Sequence, residues 1–262
     1  MSVKSIGDEA FYECGNLTAV TFEDESVLNS IGVSAFSCCS RLADIVIPAG
    51  VNEIGDYAFA YNPEFIAPCF EGSVPEKWGA SVFEEYNENF HVFFIEDQEG
   101  WTKENWTAQG EVDETYPSGL WGGKCGSSSE NLENVQWRFW FSDCTLDMYG
   151  TGDTSNWIDT EVPWITCFDY ISKVRIGEGI TYLGGGAFKG CLALGEISFP
   201  ETLVTIGVEA FSDTAIAELN LPSELKGIAS KAFYGCDILK EVTIPASVTG
   251  VAAEAFAECY HL

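Results

Sequence analysis

Positive charge is scarce in this chain: twelve lysines and arginines stand against 41 aspartates and glutamates, a net charge of -29. Phosphate backbones and anionic headgroups are repelled by such a surface, which excludes nucleic acid and anionic lipid as partners. Histidine is nearly missing. With His91 set in an apolar stretch and His261 at the last turn of the sequence, a serine or cysteine nucleophile has no base to take its proton. There is no CxxC spacing for zinc and no 12-residue EF-hand loop for calcium. Neither Gly184-Gly185-Gly186 nor Gly122-Gly123 is followed by the Lys-Ser/Thr of a phosphate loop. No apolar run reaches the roughly 18 residues that cross a bilayer, so no membrane insertion is expected within this chain. Met1 to Ala10 lack the basic-then-apolar order of an export signal.

What is present is a period. Ala-Phe recurs at Ala10/Phe11, Ala35/Phe36 and Ala58/Phe59, then at Ala187/Phe188, Ala210/Phe211, Ala232/Phe233 and Ala255/Phe256, with spacings of 25 and 23, then 23, 22 and 23. Three residues after each Phe stands Cys14, Cys39, Asn62, Cys191, Thr214, Cys236 or Cys259, and six after most of them Leu17, Leu42, Phe65, Leu194, Leu239 or Leu262. An alternating apolar pair follows: Val20/Phe22, Ile45/Ile47, Ile197/Phe199, Leu219/Leu221 and Val242/Ile244. It is closed in four cases by Pro48, Pro200, Pro222 or Pro245, which reads as a short strand with a stop. One repeat cannot bury these residues alone, whereas stacked repeats turn each column into a continuous core. The sequence opens at Val3 and Ile6 and ends at Leu262 partway through repeats, so it reads as an excised fragment.

The pattern Ile-Gly-x-x-Ala-Phe-x-x-Cys-x-x-Leu-x-x-Val-x-Ile-Pro, carried by Ile31 to Pro48 and again by Val251 to Leu262, resembles the BspA-like subfamily of leucine-rich repeats over about residues 3–72 and 174–262. The resemblance implies a bacterial or protist surface protein used for adhesion to host proteins or other cells, with no catalytic residues to carry over. Phe70-Glu71-Gly72, Val74-Pro75, Val82-Phe83 and Gly100-Trp101-Thr102 resemble a segment that closes such arrays in gut Firmicutes proteins. Gly123-Lys124-Cys125-Gly126, Thr145-Leu146, Gly150-Thr151-Gly152 and Pro163-Trp164 resemble a small β-rich module that precedes a new array there. This chain departs at Cys144, where a glycine is usual before Thr-Leu, and the turn geometry there stays open.

All eight tryptophans, Trp78 to Trp164, lie where the Ala-Phe period lapses. Solenoid ends must be covered, and tryptophan buries much area per residue. The expected fold is therefore a β-rich leucine-rich-repeat solenoid of two short right-handed arrays separated by a Trp-rich cap and a small β module. The expected divisions are 1–72 (first array), 73–118 (cap and linker), 119–170 (β module) and 171–262 (second, truncated array). His91 to Ile95 reads as a buried strand, Gly110 to Gly126 as a loop or hinge, and Gln136 to Tyr149 as a hairpin.

Cys14, Cys39, Cys191, Cys236 and Cys259 share one column with Asn62 and Thr214, which marks a packing and backbone-bonding position filled by buried thiols. Of Cys38, Cys69, Cys125, Cys144 and Cys167, a bridge from Cys125 to Cys144 is compatible with the β module. Asp143, Asp147, Asp153, Asp159 and Glu161 crowd Trp157 and Trp164. Such carboxylates could serve glycoside hydrolysis or hold calcium, but nothing in the sequence fixes the separation that either requires. The reading is of a non-catalytic protein with no cofactor and no metal.

On each strand the residues between the buried ones point outward. This puts Asp44, then Glu196/Ser198, Glu218/Asn220 and Glu241/Thr243, on the solvent face, with the three glutamates on successive rungs about 5 Å apart. The bland reading is a solvated face kept soluble by its charge. The sharper one is a docking face for a basic protein segment, host extracellular matrix being a candidate source. A carbohydrate-binding module built on the tryptophans is the alternative. An extracellular or cell-surface location is implied by the resemblance alone.

Overall fold

A residue that recurs every 22 to 25 positions can meet its own copies only if the chain coils once per period, and the computed structural model is built in this way. It describes residues 3–23, 25–108, 114–127, 131–158 and 160–262, and the chain divides into two compact units, 1–121 and 122–262. Each is a β-solenoid with no α-helix among the described residues, and the short 3-10 turns Leu132–Asn134 and Ile165–Tyr170 are in the second unit.

In the first unit one side of the coil is the parallel stack Ser5–Ile6, Ser30–Ile31, Glu53–Ile54 and Lys77–Trp78. A second side stacks Asp44–Ile47, Ala67–Phe70 and Val92–Ile95, with Asp44 opposite Ala67 and Cys69 opposite Phe93. Glu104–Ala108 then runs antiparallel to Glu114–Lys124, with Ala108 opposite Glu114. The loop expected over Gly110 to Gly126 is thus corrected: its described part is mostly an 11-residue strand, because Tyr116, Leu120 and Trp121 are buried, residues 118–122 are covered on both faces, and Gly122 lets backbone approach closely. Residues 109–113 lie outside the described set.

In the second unit Val135–Trp140 and Thr145–Gly150 form the expected hairpin. Lys173–Ile176 and Glu196–Ser198 extend it in parallel. The other side stacks Gly152–Asp153, Ile180–Leu183, Thr205–Ile206, Gly227–Ile228 and Gly250–Val251. Cys144 takes φ 54 in the hairpin turn, so the cysteine adopts the left-handed backbone for which a glycine is better suited.

The Ala-Phe turns make a third ladder. Phe11, Phe36 and Phe59 donate their amides to Ala35, Ala58 and Val82, and Phe188, Phe211 and Phe233 to Ala210, Ala232 and Ala255. The rings stack with the coils: Phe11 on Phe36 at 4.9 Å and Phe36 on Phe59 at 5.3 Å, then Phe188, Phe211, Phe233 and Phe256 at 5.2 to 5.6 Å. The residue before each Ala and the second residue after each Phe take positive φ, as at Glu9/Glu13, Tyr57/Tyr61, Gly186/Gly190 and Glu254/Glu258.

Both ladders run past the last legible Ala-Phe. Val82-Phe83 occupies the turn of a further coil in the first unit, with Trp78 below Ile54 and Phe90 beside Phe65. In the second unit Trp164 stacks on Phe188 at 5.3 Å, and its indole nitrogen donates to the Ala187 carbonyl at 3.1 Å. Some expected strands are absent. Val20 and Phe22 are half-buried in irregular chain, and the Leu219/Leu221 and Val242/Ile244 segments share a single bridge, Leu219 to Val242. The coil from Ala210 to Ala232 is 22 residues long, one shorter than its neighbours, and buries Ile216 in place of the leucine, which disturbs the register.

Candidate interaction face

The cysteine column is a backbone-bonding position. Cys39, Cys236 and Cys259 aim their thiols at the carbonyls of Phe11, Phe211 and Phe233 at 3.1 to 3.2 Å, while Thr214 donates to Phe211 and Asn62 to both Phe36 and Phe59. Burial pushes the Cys39 thiol up to about 11 and that of Cys191 to about 12, which keeps them protonated and unreactive. Cys14 is the exception to the expected burial: it sits on the first described coil, stacked on one side only, and is exposed. Cys167 stands three residues after Trp164 and so belongs to the same column; it is fully buried.

The crowded carboxylates separate into individual structural roles. Asp147 accepts two hydrogen bonds from Arg175, at 2.6 and 3.1 Å, and one from the Trp140 indole at 2.8 Å. Asp153 accepts from the Thr181 hydroxyl at 2.7 Å. Asp143 and Glu161 are exposed, and Asp159 lies outside the described residues. Among the described residues no group of three His, Cys, Asp or Glu side chains converges as a metal site. Seven of the eight tryptophans are buried, and only Trp140 is half-exposed. A platform of exposed, coplanar indoles is therefore missing from the Trp-rich region.

Glu196, Ser198, Glu218, Asn220, Glu241 and Thr243 are all exposed on one side of the second unit. The Leu219–Val242 bridge sets Glu218 beside Glu241 and Asn220 beside Thr243. A cleft of about 710 Å³ opens there, lined by those four side chains together with Glu201, Ser223 and Lys240. Glu196 differs from the other two glutamates because Lys173, opposite it on the neighbouring strand, reaches its carboxylate at 3.2 Å. The like-charge column is therefore broken at its first rung. Asp44, in the first unit, is half-buried and its carboxyl is raised by desolvation. It lies next to the strand Ala67–Phe70, buried on both faces, and so is no part of an open face.

Sequence reasoning missed the basic and aromatic half of this face. Arg138 sits over the Trp140 ring at 5.5 Å, Arg138 is in register with Asp147, and Asp147 with Arg175. The signal was available: Lys173-Val174-Arg175-Ile176 lies 23 residues before Glu196 and alternates in the same way.

The BspA type leucine rich repeat region matches residues 1–96 and 166–262 in 6 copies. The chain belongs to this family. No curated protein matches it. Among solved structures it is similar to the leucine rich repeat protein TpLRR of T. pallidum, at 23% identity over 52% of this chain and 68% of that one, with a TM-score of 0.37. The pneumococcal vaccine antigen PcpA is 18% identical over 95% of this chain, which spans 56% of it, at a TM-score of 0.36. A leucine rich cell surface protein of Faecalibacterium prausnitzii is 22% identical over 99% of this chain and 75% of that one, at 0.37.

Proposed function

We propose that this BspA-type repeat chain is the binding part of a secreted or surface-displayed bacterial protein, acting without catalysis. Its sheet face at Glu196/Ser198, Glu218/Asn220 and Glu241/Thr243 docks an extended basic segment of a protein partner. The observation that carries the reading is the open cleft in which Glu218 and Glu241 stand exposed beside the hydrogen-bonding pair Asn220 and Thr243. Carboxylates there meet lysine or arginine, and the amide and hydroxyl suit a passing backbone. The surface location rests on membership of the BspA type repeat family.

The test is binding of the purified chain to immobilised fibronectin and fibrinogen at physiological salt, beside the Glu218→Lys/Glu241→Lys variant. Glu196 is left intact because it already pairs with Lys173. Saturable binding that the variant loses supports the assignment, whereas equal binding by both proteins removes it from this face.

A further inference from the structure

The Ala-Phe turns of the first unit present an outer face that the sheet-face reading leaves unused. Tyr12, Tyr57 and Tyr61 stand on it with 38% to 44% of their surface exposed. Tyr12 comes from the first Ala-Phe turn and Tyr57 and Tyr61 from the two ends of the third, with the tyrosine-free turn 33–39 between them, and all are carried by the same amide ladder that stacks the phenylalanines. Glu9, Glu13 and Glu84 lie among them and are exposed. The Tyr61 hydroxyl donates to Glu84, and the Tyr12 phenol pKa is raised first by Glu13 and least by Glu9. Residues 8–14, 33–39, 56–62 and 80–86, which make up these turns, contain no lysine or arginine. The turns 8–14, 56–62 and 80–86 therefore carry negative charge and the turn 33–39 none, and none of the four supplies a cation.

The equivalent turns of the second unit indicate what such a face accepts. There Lys231 sits with its ammonium 5.4 Å from the centre of the Tyr234 ring and 3.4 Å from the Glu254 carboxylate. Tyr234 in turn hydrogen-bonds Glu258. The chain thus fills a tyrosine-and-glutamate position on this ladder with its own lysine. In the first unit Tyr12 holds the position of Tyr234, with Glu9 where Lys231 stands, and Tyr57 and Tyr61 hold the two positive-φ positions of the third turn. The backbone does not ask for tyrosine either, because Tyr57 and Tyr61 hold φ of 56 and 60 where the corresponding turn of the second unit uses Gly186 and Gly190.

We propose that the turn face of residues 8–14, 33–39 and 56–62 is a second docking surface, occupied by a lysine- or arginine-bearing extended segment of a partner protein. The ammonium or guanidinium groups lie over the tyrosine rings, beside the glutamates. Cation–π attraction and charge complementarity act together there, as they do within the chain at Lys231. The surface is independent of the cleft at Glu218 and Glu241, and either assignment can fail without the other.

The whole 262-residue chain is titrated with a fluorescent alternating lysine–serine peptide of about twelve residues, whose lysines repeat on one side of an extended chain. A glutamine–serine peptide is the uncharged control. The decisive variant is Tyr12→Ser/Tyr57→Asn/Tyr61→Asn, which leaves the net charge untouched and puts asparagine where positive φ favours it, so that the fold is retained. Each exposed ring contributes roughly two- to fivefold, so this variant weakens binding about tenfold or more. The triple phenylalanine variant keeps the rings and binds within about threefold of the parent. Equal affinity of the asparagine variant and the parent overturns the proposal, since bulk negative charge then explains the binding. Loss in the phenylalanine variant as large as in the asparagine variant also overturns it, because the hydroxyls and not the ring faces would be the contact. The titrations are repeated in the Glu218→Lys/Glu241→Lys background, where the cleft no longer takes a basic peptide, and the asparagine substitutions weaken binding there by a similar factor.

Discussion

Asn62 tests whether the column three residues after each Phe is held by hydrogen bonding or by packing alone. It is 1% exposed, its amide nitrogen donates at 2.9 Å to the carbonyls of both Phe36 and Phe59, and its side-chain oxygen has no partner. Valine is close in size and lacks the donor. Two stranded carbonyls cost about 2–6 kcal/mol, and removal of the unpartnered oxygen returns about 1–3, so Asn62→Val is destabilising by about 1–3 kcal/mol. Threonine restores one donor, as Thr214 does at the same position of another coil, and brings no orphaned amide oxygen. Asn62→Thr is therefore within about 1 kcal/mol of the parent. Solenoid stability is local and a two-unit chain need not unfold in one step, so the assay is native-state hydrogen exchange at Phe36 and Phe59, whose amides bond to Ala58 and Val82. Those amides exchange roughly 5- to 100-fold faster in the valine variant and close to the parental rate in the threonine variant. Equal protection in both variants would refute the bonding role and leave shape as the only requirement.

Iodide quenching separates the tryptophans: seven are shielded, so the quenchable fraction of the fluorescence belongs to Trp140 and disappears in Trp140→Phe. A large quenchable fraction in that variant would mean that the indoles are open and would revive a glycan platform. Asp44 gives a pH signature. Burial raises its folded pKa above the ordinary 3.8, so its favourable contribution is full below that value and is lost as pH rises through the raised pKa. Asn at this position is accordingly more stable than Asp at neutral pH, and the advantage shrinks on acidification. Urea midpoints of the two proteins at neutral and acidic pH check this, and a difference that does not vary with pH would contradict it.

The period was legible wherever one residue type filled a column, because each coil offers that column the same surroundings. It became illegible where a column kept its role but changed its residue. Val82-Phe83 and Trp164 do the work of Ala-Phe, 24 residues from Ala58-Phe59 and from Phe188, and only the spacing betrays them. Cys167 was lost with Trp164 for the same reason. The strand at Glu114–Lys124 was hidden by Gly119, Gly122, Gly123 and Pro117, which read as loop residues. It pairs with the strands before and after it, Glu104–Ala108 and Val135–Trp140, and Pro117 lies opposite Asn105 in an antiparallel pair. The acidic rungs Glu218 and Glu241 followed from alternation alone. That Glu196 is partnered did not, since the lysine that reaches it belongs to a coil the period had not revealed.

The same reasoning limits what a repeat sequence says about binding. A column residue is dictated by the fold, so its identity carries no news of a partner, whereas an outward residue is free to vary from coil to coil. The informative outward positions are those where the fold has a preference and the sequence declines it. At the two positive-φ positions of each turn the fold favours glycine, which Gly186, Gly190 and Gly235 supply. Glutamate and aspartate at Glu9, Glu13, Glu209, Asp213, Glu254 and Glu258 keep the face soluble at modest backbone cost. Tyrosine at both positions of one turn serves neither end: it is bulky for the left-handed region and leaves its ring in water. Solubility does not account for Tyr57 and Tyr61, and neither does turn formation. A contact made by their ring faces does, which is why substitutions there separate binding from folding more cleanly than any change within the columns.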